Sequence, residues 1–204
     1  MTEPRDPHAE PSTRAPGAQG QATRRRLLDA GRDAMNERGY HATRVDDVVR
    51  RAGTSHGTFY LYFESKEGML EALREDADTA LDELTDALPP IVEGDDGRAE
   101  FRRWIDAFAD FSDQYGAVVR ANLVSGPNGS ANRPNVEVFD GLQQRLAEAI
   151  EEAGCEVAAA AAAMAIIAMV ERFSFLSPEL RGDDERRNQA LDTLATFAHA
   201  GLFA

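Results

Sequence analysis

A catalytic or metal-binding site in this 204-residue chain would have to be assembled from four histidines, one cysteine and 36 carboxylates. His8, His41, His56 and His199 fall in four separate segments, and no HExxH, GxSxG or paired-cysteine spacing is present. Asp46-Asp47, Asp95-Asp96 and Asp183-Asp184 are adjacent pairs. Adjacent residues on a helix do not face one another, and outside helices such pairs read as solvated turns, so no acid/base couple results. The stretch GPNGSANRPN at 126–135 lacks the Gly-Lys-Ser/Thr ending of a phosphate loop. The lone Cys155 excludes an internal disulfide and a multi-cysteine metal cluster, and reads as a small structural residue. The expectation is a protein that is not an enzyme and holds neither cofactor nor metal.

A different chemistry is written in residues 50–70, RRAGTSHGTFYLYFESKEGML. Two short helical segments joined through Ala52-Gly53 fit a helix-turn-helix unit, whose second helix enters the major groove of B-DNA. Such a helix must be narrow at its tip. Thr54, Ser55, His56, Gly57 and Thr58 are small and mostly polar, and Gly57 permits close backbone approach. Tyr60 and Tyr62 offer hydroxyls to phosphates, while Phe59 and Phe63 turn inward. Lys66 stands at a helix start, where free N–H groups already favour an anion. A locally positive face from Arg24, Arg25, Arg26, Arg44, Arg50, Arg51 and Lys66 would then work against a net charge of -14. That charge is unevenly spread, since residues 1–67 balance to +1 and residues 68–204 to -15.

The elements that must position these groups are helical. Leu27, Leu28, Gly31, Ala34 and Met35 make one stripe ending at Gly39. Thr43 is a plausible N-cap, with Asp46 at N3, for a short helix burying Val45, Val48, Val49 and Ala52. Ser55 opens the next helix, and Ser65 opens a long one through Leu88 that Pro89-Pro90 stops. EGDDG at 93–97 reads as a linker. Phe101, Trp104, Ile105, Phe108, Phe111 and Tyr115 recur at helical spacing to Gly116, followed by a shorter helix around 117–125. Further helices cover 139–150, the alanine-rich stretch from 157 to about 177, and 185–201. Sustained period-two alternation is absent, so the fold class is all-α, with about nine helices. The first twenty residues lack the apolar core of a secretory leader and read as a disordered tail, 1–20. The apolar run at 157–170 is shorter than the ~20 residues a bilayer requires, so the expected setting is cytoplasmic, with no membrane contact.

Residues 21–67 resemble the DNA-binding domain of the TetR family of transcriptional regulators. RRRLLDAGRDAMNERGYHATRVDDVVRRAG is followed without a gap by TSHGTFYLYFESKEGML, and the Gly-Thr-Phe-Tyr, Tyr-Phe and Ser-Lys-Glu runs carry the likeness. The resemblance implies a DNA-binding domain over 21–81, with the helix-turn-helix motif at 44–63, and a ligand-binding and dimerisation domain over 82–204. It implies a homodimer on a partly palindromic double-stranded DNA operator. Thr43, Arg44, Tyr60, Tyr62 and Lys66 would hold phosphates, and Thr54, Ser55, His56, Gly57 and Thr58 would face the groove. Many relatives have a lysine or arginine where this chain has His56, so operator sequence cannot be borrowed. His56 reads either as a base contact, with affinity falling slightly from pH 6 to 8, or as a phosphate-side or solvent-facing residue.

The C-terminal body admits more than one reading. The rings Phe101, Trp104, Phe108 and Phe111 make plain core, or with Met164 and Phe173 they leave an adaptable pocket for a small apolar effector. Arg120, Asn122 and Glu171 are candidate polar anchors. The helix 157–173, small on every face, is the centre of a monomer or, with 185–201, half of a four-helix dimer seat. The resemblance favours pocket and dimer, and hence a repressor released by its ligand. The competing function is a helix-turn-helix repressor with no small-molecule signal.

Overall fold

In a computed structural model of the chain, residues 17–122, 138–176, 180 and 182–203 are described, and these contain eight α-helices and no strand. They are α1 (Ala18–Arg38), α2 (Val45–Arg51), α3 (His56–Tyr62), α4 (Lys66–Asp86), α5 (Asp95–Asn122), α6 (Asp140–Glu152), α7 (Ala159–Leu176) and α8 (Asp184–Leu202). The core is continuous from Leu27 on α1 to Leu202 on α8. Helix α5 is its hub, with α1, α4, α7 and α8 all packed on it.

Several boundaries differ from those expected. Residues 18–20 are helical rather than tail, while residues 1–16, the whole of 126–135 and the Ser-Pro at 177–178 lie outside the described residues. Thr43 does not cap α2. Its side chain is buried, and its hydroxyl donates to the Gly39 carbonyl at 2.9 Å, inside the turn that ends α1. The N-cap is therefore Arg44, whose N–H donates to Asp47, not Asp46, at 3.3 Å. The turn consumes Thr43 and shifts the helix start by one residue.

Gly116 does not end a helix. α5 runs through it to Asn122, so the break expected at 116 is absent, and residues 123–125 of the expected second helix lie outside the described residues. The reason is a close approach: a Cβ on Gly116 would stand 2.9 Å from an Arg120 guanidinium nitrogen. The glycine makes room for a folded-back side chain. Nor is 93–97 wholly a linker, since α5 begins at Asp95, with Asp95 and Asp96 favoured beside the positive end of the helix. Gly97 is required there, because a Cβ would lie 1.9 Å from the Val92 carbonyl oxygen.

Two ionic and polar seams tie the outer helices to α5. On α8, Arg187 reaches Asp106 at 2.9 Å and Asp110 at 2.6 Å, and Arg102 of α5 reaches Asp192 at 2.7 Å. On α1, Asn36 donates to the carbonyls of Asp113 (3.1 Å) and Gln114 (2.9 Å), and the Arg32 guanidinium lies 5.7 Å from the centre of the Tyr115 ring. The N-terminal helices thus rest on the body through α1 as well as through the covalent strut α4.

Candidate nucleic-acid interface

Seven-residue helices have no independent stability in water, so α2 and α3 exist because tertiary contacts hold them. Val48 and Val49 of α2 are buried, as are Phe59 of α3 and Phe63 just after it. The Phe59 and Phe63 rings meet with centroids 5.5 Å apart. Between the helices, Gly53 takes φ +63°, and the Thr54 N–H donates to the Val49 carbonyl at 2.9 Å. Ser55 caps α3 as its sequence position implies, accepting from the Thr58 N–H at 3.2 Å. The two hydroxyls of Ser55 and Thr58 are also within 3.0 Å.

With Phe59 and Phe63 pinned inward, helical geometry turns Gly57, Tyr60 and Leu61 outward. His56 and Gly57 are exposed, Tyr60 is 56% exposed and Leu61 81% exposed. Thr54, Thr58 and Tyr62 are half-buried beside this face. Leu61 and Asp46 belong to it as well, although sequence reasoning gave Leu61 no role and Asp46 only a capping one. Counting one turn on from Gly57 would have found Leu61. Asp46 is found only in three dimensions, where its carboxylate lies 2.5 Å from His56 Nε2 and joins the start of α2 to the start of α3. Because the carboxylate accepts, Nε2 carries the proton and points at Asp46.

The cationic face is narrower than the arginine count suggested. Arg50 pairs with Asp47, Arg51 with Glu37 at 2.5 Å, and Arg25 with Asp29 and Asp76. Arg24 lies over the Phe63 ring at 5.5 Å, and Arg44 is exposed at the start of α2.

Lys66 is turned inward. Its Nζ donates to the carbonyls of Tyr40 (3.1 Å) and Thr43 (3.2 Å) and lies 4.1 Å from the centre of the Tyr40 ring. The Tyr40 hydroxyl donates to Glu67 at 2.9 Å. Burial first, and the bond to a carboxylate second, push the Tyr40 phenol from 10.0 up to about 12. Its own helix-start N–H, then the Tyr40 hydroxyl, hold the Glu67 carboxyl below its usual range. Tyr40, Thr43, Lys66 and Glu67 therefore clamp the loop before α2 onto the start of α4. Thr43 and Lys66 sit where they orient the face, with their polar groups already engaged.

The five rings and one methionine expected around a pocket do not converge on one space. Phe101, Trp104 and Phe108 are buried and pack in series, with centroids 5.7 and 5.6 Å apart. Phe111 continues the row and borders a small enclosed recess with Ser112, Arg120, Glu171 and Ser174. Met164 is exposed on α7, and Phe173 lines an open groove of about 890 Å³ between α7 and α8. Burial raises the Cys155 thiol, in keeping with a structural residue. Among the described residues no cluster of three or more potential ligands gathers for a metal, and no helix is long and apolar enough to cross a membrane.

Fold and face together define a helix-turn-helix protein with a helical C-terminal body. Residues 27–73 match the family described as bacterial regulatory proteins, tetR family. Over 71 residues the chain is 37% identical to the uncharacterized HTH-type transcriptional regulator YdgC of Bacillus subtilis (strain 168), covering 35% of this chain and 36% of that one. Over 72 residues it is 40% identical to the HTH-type transcriptional regulator BetI of Klebsiella pneumoniae (strain 342), covering 35% and 37%. The aligned segment thus spans about a third of the length of these relatives. Two solved structures share the fold over nearly the whole chain. One is CprB, a TetR family protein from S. coelicolor A3(2), with TM-score 0.60, 20% identity and coverage of 89% and 98%. The other is a putative TetR-family transcriptional regulator from Rhodococcus sp., with TM-score 0.62, 22% identity and coverage of 90% and 100%. Residues 27–73 thus form the DNA-binding segment described by the TetR family of bacterial regulatory proteins.

Proposed function

We propose that this protein is a cytoplasmic, non-enzymatic DNA-binding repressor. It acts as a homodimer on a partly palindromic operator and is released when a small, largely apolar effector occupies the C-terminal domain. The observation that carries the reading is the outward face of α3, where His56, Gly57, Tyr60 and Leu61 stand exposed on a helix whose other side is anchored by Phe59 and Phe63. Thr54, Ser55, His56, Gly57 and Thr58 meet base edges at the helix tip. Arg44, Tyr60 and Tyr62 contact phosphates on either side. Thr43 and Lys66 hold the loop that presents Arg44.

The dimer seat is the α7–α8 face. Its groove is lined by Ala168, Met169, Phe173 and Leu194, and Phe197 is 72% exposed on the same helix as Leu194. Large apolar side chains left outside on two neighbouring helices fit a second copy of the same pair. In such a dimer the two α3 helices must match half-sites ~34 Å apart, one DNA turn. Effector binding that tilts α4 or shifts the α1 contact on α5 spoils that spacing. A coupling of ~1–3 kcal/mol changes operator affinity roughly 5–150-fold.

The test is a footprint and anisotropy titration on fragments flanking the gene's own start, against random duplex of equal length. Preferential protection of a partly symmetric sequence, weakening steeply with salt, is expected. Equal binding to every duplex at low ionic strength would overturn the reading.

A further inference from the structure

The recess beside Phe111 is polar, enclosed and supplied with hydrogen-bonding atoms that the protein itself leaves unused. Ser112 on α5 and Ser174 on α7 are both more than nine-tenths buried, and neither hydroxyl has a hydrogen-bond partner. Both line the recess, which has a volume of about 10 Å³, room for one oxygen-sized group. Burying a hydroxyl unsatisfied is unfavourable, so two of them facing one small space mark a place for a third polar group. Arg120 and Glu171 complete the wall, and Gly116 gives up its Cβ so that the Arg120 guanidinium can fold back along α5.

The recess is not isolated. Arg120 and Glu171 also line a wider, more open space of about 310 Å³, walled further by Ala168, Arg172 and the exposed Phe175 ring. The centre of that ring lies 4.9 Å from the Arg120 guanidinium and 5.5 Å from that of Arg172. A narrow polar space and a broader, partly aromatic one thus share a cation and an anion in their walls. We propose that these paired spaces bind the effector, and that the effector is a small amphiphile with an uncharged hydroxyl head. The hydroxyl accepts from one serine and donates to the other, while the apolar body lies along Phe175. A carboxylate or ammonium head is disfavoured, because it must shed its water in a space for one oxygen. This rests on the effector-release reading and gives that reading its ligand class. One residue beyond Ser112, the carbonyls of Asp113 and Gln114 hold Asn36 of α1, so the recess backs directly onto the contact that seats the N-terminal helices.

The probes are 1-hexanol, hexanoate and hexylamine, measured on the full chain by saturation-transfer NMR with competition titration. Wild type is expected to bind 1-hexanol in preference to both ions. Ser112→Ala with Ser174→Ala should weaken it by about tenfold or more, the equivalent of one lost hydrogen bond. The alanines remove unpaired hydroxyls, so their melting temperatures should equal or exceed wild type, and a clear fall would overturn the premise that the hydroxyls are unused. Equal binding by wild type and double variant, tighter binding of either ion, or no binding at all would overturn the site. Loss of the site with operator binding intact leaves the DNA reading standing. Conversely, serine-dependent hexanol binding without any release of operator upholds the site and defeats effector release.

Discussion

Replacing Trp104 by phenylalanine isolates the bond that fixes the DNA-side strut to the body. The indole N–H of Trp104 donates to the Leu84 carbonyl at 3.0 Å, and the ring is 3% exposed. That carbonyl lies in the last turn of α4, where helix geometry leaves acceptors unfilled. Its natural helical donor, the N–H of Leu88, goes to Thr85 instead. Phenylalanine therefore strands a buried acceptor, at about 1–3 kcal/mol. The smaller ring also gives up roughly 1 kcal/mol of apolar burial between Phe101 and Phe108. The sum is about 2–4 kcal/mol. Urea unfolding followed by circular dichroism measures it, at one fixed protein concentration because any self-association makes stability depend on concentration. Trp104 is the single tryptophan, so its fluorescence cannot serve both proteins. A loss under about 0.5 kcal/mol would refute the assignment, since a stranded buried carbonyl cannot be that cheap. If the bond also transmits effector binding, W104F should narrow the ratio of operator affinities with and without effector.

Three further outcomes follow from single contacts. The Tyr40 phenol, raised to about 12, favours the folded state fully below pH 10, and this contribution is lost as pH rises through 12; ultraviolet titration should show one phenol ionising near 12, a step absent in Tyr40→Phe. Gly97→Ala drives a Cβ into the Val92 carbonyl, backbone that no rotamer can move aside, and should destabilise by about 3 kcal/mol, whereas Gly141→Ala, with nothing within 4 Å, should be neutral or stabilising in the same urea assay. Asn36→Ala removes both donations to α5 and should cost about 1 kcal/mol, with amide exchange in α1 rising more than in α6; equal change in both helices would argue against a local seam.

What could be read from the sequence was whatever is decided within a few residues. Ser55 and Ser65 cap α3 and α4 as expected, because a cap is a bond between a side chain and an N–H three residues on. The inward Phe59 and Phe63 follow from their spacing of four. Thr43 misled for the opposite reason: its type suits a cap, but the turn after Gly39 claims its hydroxyl first. Gly116 misled likewise, since a glycine that stops a helix and one that admits a guanidinium look identical in a string of letters. Charge was legible in total and illegible in place. Seven cations were assigned to one face, yet Arg50 and Arg51 are paired and Lys66 is turned inward, because their partners at Asp47, Glu37 and the Tyr40 and Thr43 carbonyls lie on other turns or other elements.

The same distinction explains why the aromatic stripe could not announce a pocket. Rings at helical spacing state that one side of α5 is apolar, and both a packed core and a ligand chamber satisfy that. What separates them is polar atoms without partners, which no periodicity encodes. Phe101, Trp104 and Phe108 close against one another, and the ring that borders the small recess, Phe111, does so beside Ser112 and across from Ser174 on another helix. In the proposed effector site, specificity rests on two serines that composition alone would pass over. A chain with alanine at both positions would then keep the stripe, the core and the fold, and lose the preference for a hydroxyl head.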